Sequence, residues 1–106
     1  MKLLTKEILD KFKKQGCTDG KNTSEIKIIA KFFSPIGVAT WYATEYIVEE
    51  RIFFGFVSLF NDYNDELGYF SLDELEQFRG KFGLGIERDR FFGDHFLSEV
   101  INGSRP

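Results

Sequence analysis

The chain has one cysteine, one histidine and two prolines among its 106 residues. A lone Cys17 excludes an internal disulfide and gives no sign of an oxidising compartment. With His95 as the only imidazole, and Cys17 far from it in the chain, a four-ligand structural zinc site is not expected. None of Ser58, Ser71 and Ser98 stands in a Gly-x-Ser-x-Gly setting, so a serine triad has no support. The glycine-spaced stretch 80–85 lacks the Gly-Lys-Ser/Thr ending of a phosphate-binding loop and follows a helix, not a strand. No cofactor and no metal is therefore expected. Long apolar runs are missing too. The amino-terminal residues carry no apolar leader core, and the longest uncharged stretch, 32–44, is too short and interrupted to span a bilayer. The expectation is a cytoplasmic protein with no membrane partner.

Aromatic residues are plentiful, reaching 17%, with 13 Phe, so the core should be built from rings. Hydrophobic residues at 42% and charged residues at 29% are ordinary for a globular domain and argue against disorder. At this length, 1–106 is read as a single domain. The net charge of −3 is unevenly spread: residues 1–31 carry +4, residues 45–76 carry −8 and residues 77–106 carry +1. A nucleic-acid partner would call for a clearly basic balance, so none is expected. The acidic middle segment would suit a basic partner.

Thr5 reads as a helix cap ahead of an apolar stripe of Leu4, Ile8, Leu9 and Phe12, and Gly16 as the stop of a helix over 6–14. Residues 16–25 read as a loop. Strands are expected at 26–33, 38–46, 51–60 and 66–70, with a fifth at 86–92. Gly55 in mid-strand marks a bulge or a close approach of another segment. The stretch 61–65 reads as a loop. Ser71 and Glu74 match a capping box for a helix over 72–79, and 95–101 has the makings of a last short helix. Successive strands joined by short turns favour antiparallel pairing. The expected fold is α+β, a four- to five-stranded, mainly antiparallel sheet flanked by two or three short helices.

Several strings stand out together: Lys2-Leu3-Leu4-Thr5, Trp41-Tyr42-Ala43-Thr44-Glu45, Phe53-Phe54-Gly55, the run from Glu66 to Leu75, and Ile86-Glu87-Arg88-Asp89. In this order they resemble an uncharacterised domain-of-unknown-function family of small proteins carried on bacterial plasmids and other mobile elements. The turn after Glu45 is shorter here than in that pattern. The resemblance implies a cytoplasmic protein of mobile-element origin and supplies no catalytic residue.

The remaining polar constellation is carboxylate-rich. Trp41 and Glu45, four apart on one strand, are expected to share a face and to meet Glu87, Arg88 and Asp89. An indole beside a carboxylate suits a planar or cationic ligand, and Arg88 would hold Glu45 or bind an anion. Two function classes follow. One is a non-enzymatic protein-interaction module. The other is a small metal-dependent or acid–base enzyme using Glu45, Glu87 and Asp89, with nucleic acid as one candidate substrate. Convergence of those carboxylates in one pocket separates the two. The adjacent pairs Phe32-Phe33, Phe53-Phe54 and Phe91-Phe92 put rings on both sides of a sheet, which predicts a protein partner or homodimer through an aromatic sheet face.

Overall fold

A computed structural model describes residues 2–60 and 65–102. The loop expected at 61–65 therefore lies largely outside the described residues, as does the tail from 103. The first helix, α1, spans Lys6–Gln15. Its start is fixed by Thr5, whose hydroxyl oxygen accepts the Ile8 N–H at 3.3 Å. Its end is fixed by Gly16, at φ 65°, whose N–H bonds the Phe12 carbonyl. Gln15 then moors the helix to the sheet. Its side-chain amide donates to the carbonyls of Lys27 and Thr44 and accepts the Lys27 N–H.

Among the described residues seven strands follow: β1 Lys27–Ile28, β2 Ala30–Phe33, β3 Thr40–Ile47, β4 Ile52–Ser58, β5 Glu66–Ser71, β6 Glu87–Arg88 and β7 His95–Phe96. Five of them form an antiparallel sheet in the order β5-β4-β3-β2-β6, and β1 pairs with β7. The fold is α+β, with α2 at Leu72–Gln77 and α3 at Leu97–Ile101. No helix among the described residues is long and apolar enough to cross a membrane.

Two expected strands differ from the observed ones. The strand expected over 26–33 divides at Ile29, although the Ile29 N–H still bonds the Ala43 carbonyl at 2.8 Å. The strand expected over 86–92 stops at Arg88, because the next residues have a better local use for their backbone. The Asp89 carboxylate accepts the Phe91 N–H at 2.9 Å, and Gly93 turns the chain at φ 78°. Phe91 and Phe92 are therefore not a strand pair. The 72–79 helix ends two residues early, and the last helix gives up 95–96 to β7.

The β3–β4 ladder carries the bulge that Gly55 signalled. Ala43 faces Gly55, but the next pair is Glu45 with Phe54, so Thr44 is the extra residue. A Cβ on Gly55 would lie 1.9 Å from the Tyr42 carbonyl oxygen, so only glycine fits. The bulge also corrects the expected face. Before it, Trp41 and Ala43 share the side of Phe53; after it, Tyr46 takes that side and Glu45 goes to the other.

Each side of the sheet has its own core. On the first, Phe32 and Phe53 are fully buried with Leu3 and Phe12 from the amino-terminal segment and Leu72 and Leu75 from α2. On the second, Tyr42 and Phe56 pack with Ile26, Ile28, Leu97 and Val100. The second face is thus covered in part by α3. Among the described strand residues of this face, the exposed large apolar side chains are Leu67 and Tyr69 of β5, Tyr69 being 68% exposed against a half-buried Phe54.

Candidate functional site

A cleft runs between α1 and the segment that leaves β6. It encloses about 660 Å³, and its wall includes Lys6, Lys11, Lys31, Arg88 and Arg90. A second cleft of about 430 Å³ continues it past Lys11 to Lys14, Lys21 and Lys27, sharing Ile29, Gly93 and Asp94. Together they form one groove. Glu7, Lys11 and Lys14 recur at helical spacing along its α1 wall. The floor is apolar, from Ile8, Ile28, Ile29 and Phe92.

Lys31 is half-buried in the groove, with its side chain 18% exposed. Its ammonium group lies 3.7 Å from the Asp89 carboxylate and over the rings of Tyr42 and Phe92, at 5.8 and 5.6 Å from their centroids. Asp89 is held again through its N–H, which donates to the Lys31 carbonyl at 2.9 Å. Arg88 donates to the Lys2 carbonyl and so ties the amino-terminal segment to β6. At the far end of the groove His95 meets the Glu99 carboxylate at 3.1 Å and packs its ring on Phe92. Glu99 also accepts the Phe96 N–H at 2.6 Å. That backbone bond, and then the bond to His95, holds its carboxyl below the ordinary carboxylate range.

Of the five residues singled out by sequence, two reach the groove: Arg88 and Asp89. Glu87 lines a separate cleft of about 500 Å³ with Leu3, Glu76 and Arg79. Glu45 is occupied elsewhere, its carboxylate accepting both the hydroxyl and the N–H of Thr18 and so clamping the 16–25 loop to β3. Trp41 packs against the first core. It pairs with Phe32, which pairs in turn with Arg88, so two strand spacings, roughly 10 Å, separate Trp41 from Arg88. The expected meeting of Trp41 and Glu45 with the β6 residues does not form. Among the described residues no group of three or more His, Cys, Asp or Glu side chains is placed to hold a metal ion.

Sequence reasoning missed the lysines of the groove. Their signal is the +4 charge of residues 1–31, which by itself does not say that those lysines share one groove. Eight Lys and Arg against four Asp and Glu line the groove, net +4, within a chain of net −3. Such a channel, with apolar floor and basic rims, can hold an extended anionic segment.

A family model described as a protein of unknown function (DUF2958) matches residues 3–105. No curated protein and no solved structure matches the chain.

Proposed function

We propose that the chain, which belongs to the DUF2958 family of proteins of unknown function, is a non-enzymatic protein-interaction module whose basic groove receives an extended acidic segment of a partner. One observation carries the reading: eight of the chain's fourteen Lys and Arg line a single groove. The carboxylates Glu7, Glu25, Asp89 and Asp94 along the same walls favour a peptide over a nucleic acid. They would repel a continuous phosphate backbone, yet can accept N–H groups from a polypeptide. Arg88 and Asp89 are the site residues kept from the sequence reading, and Lys31 joins them as the ion-pair partner of Asp89. The alternative enzyme would need Glu45, Glu87 and Asp89 together. Supporting the module over it is that Thr18 holds Glu45 while Glu87 and Asp89 line different clefts. A cytoplasmic setting is proposed with it, consistent with the single exposed thiol at Cys17. An origin on plasmids or other mobile elements is supported by the motif resemblance.

The test is binding of a fluorescent Glu-rich peptide, read by anisotropy. Replacing Lys6, Lys11 and Arg90 together by Gln should weaken binding by about tenfold or more while leaving the urea midpoint unchanged. Tighter binding of a single-stranded oligonucleotide than of the peptide would sink the protein-partner reading.

A further inference from the structure

The sheet has two edges, and they are unlike. At one, β6 offers only Glu87 and Arg88. At the other, β5 is six residues long, and among the described residues nothing pairs with its outer side. It contains no proline and no lysine, the usual guards of an edge strand.

The direction of its backbone groups follows from one bond. The Leu72 N–H donates to the Arg51 carbonyl at 3.0 Å, which makes that position hydrogen-bonded in the β4–β5 ladder. Antiparallel ladders alternate, so the pairs Gly55–Gly68 and Phe53–Phe70 are bonded and the pairs at Leu67 and Tyr69 are not. The N–H and C=O of Leu67 and Tyr69 therefore point away from β4. Their side chains share the second face of the sheet and are 43% and 68% exposed. On the first face Gly68 leaves open space, with nothing within 4 Å of where a Cβ would stand.

Charge then selects the occupant. The segment 45–76 carries nine Asp and Glu against a single Arg. Glu66 is exposed on β5 itself and Glu74 on the helix that follows, where Asp73 and Glu76 are also exposed but share Arg51 in ion pairs at 2.8 and 3.1 Å. A second copy of the chain would bring this acidic edge against its own like, which is unfavourable. We infer that the outer edge of β5 is a strand-addition site for an extended basic segment of a protein partner. The guest alternates. Its apolar residues pack on Leu67 and Tyr69, and its Lys or Arg stems cross the open ground at Gly68 towards Glu66. This surface is independent of the basic groove and requires a partner of opposite charge.

The probe is a synthetic peptide of about six residues alternating Lys and Val, matched to the length of an ordinary strand. Amide hydrogen exchange of the full chain is followed residue by residue, with a labelled copy of the peptide giving affinity. Exchange at Leu67 and Tyr69 should be fast in the free protein and slow by about tenfold or more at saturation. Methylating alternate peptide nitrogens should abolish that protection, and Glu66→Lys should weaken binding about fivefold. Four results each overturn the inference. These are slow exchange at both amides in the free protein at every concentration, slow exchange that grows with protein concentration, equal binding of a Glu/Val peptide, and no protection up to about 1 mM peptide.

Discussion

Gly55 shows how much one residue decides. The β3 chain passes so close that the Tyr42 carbonyl occupies the place of a side chain. Gly55→Ala should cost at least about 3 kcal/mol, at the upper end of overpacking, because the obstacle is backbone and cannot swing aside. Urea unfolding measures it, and a loss under about 1 kcal/mol would show that the bulge relaxes. The same position explains what sequence could say about the site. A mid-strand glycine announced an irregularity. It could not announce that Thr44 would be the extra residue, and that single insertion sends Glu45 to the face opposite Trp41. Arg88 and Asp89 were legible as neighbours. Lys31 was not, because its partner in space lies 58 positions away, and periodicity carries no such information.

Elements were more legible than sites, because each carried its own start and stop. α1 opens at Thr5 and closes at Gly16, and α2 opens at Ser71, whose hydroxyl accepts the Glu74 N–H at 3.2 Å. Ser71→Ala should cost on the order of 1 kcal/mol, read as a lowered urea or thermal midpoint. What misled was competition for backbone groups: the Asp89 side chain took an N–H that a longer β6 would have used. The last helix depends on acid–base state. Glu99 satisfies the Phe96 N–H at the start of α3, and its pKa is lowered in the folded chain. A depressed carboxyl contributes stability that is present above its unfolded pKa and lost as pH falls through the folded value. Acidification below the ordinary value of 4.5 should therefore loosen α3. Exchange rates of α3 amides against pH check this, and Glu99→Gln should flatten the profile.

At the scale of the whole molecule the charge is arranged as a dipole across the sheet. The basic groove borders β1, β2 and β6, and β5 with α2 forms the acidic edge, about 19 Å away by four strand spacings. That separation sets a salt dependence. At roughly 0.01 M salt the Debye length is about 30 Å, so an acidic ligand at the groove still feels the opposite edge and the net −3. Near 0.15 M it is about 8 Å, and the groove acts alone. Affinity for an acidic peptide should therefore rise from 0.01 M to about 0.1 M and fall beyond it; a monotonic decline from the lowest salt would contradict the dipole. The strand order has a different consequence, for the chain as it is made. β2 to β5 pair with neighbours in sequence, so this meander and α1 can assemble while synthesis continues. The strands and helix that close the second face, β6, β7 and α3, come last. At 5–20 residues per second, the thirty residues from Ser71 to Ile101 take about 2–6 s to emerge. Throughout that interval Tyr42 and Phe56 lack the cover of Leu97 and Val100, and the edge of β2 that later meets β6 is open. The exposed apolar surface of the second core therefore belongs to the incomplete chain on the ribosome and is covered once α3 docks.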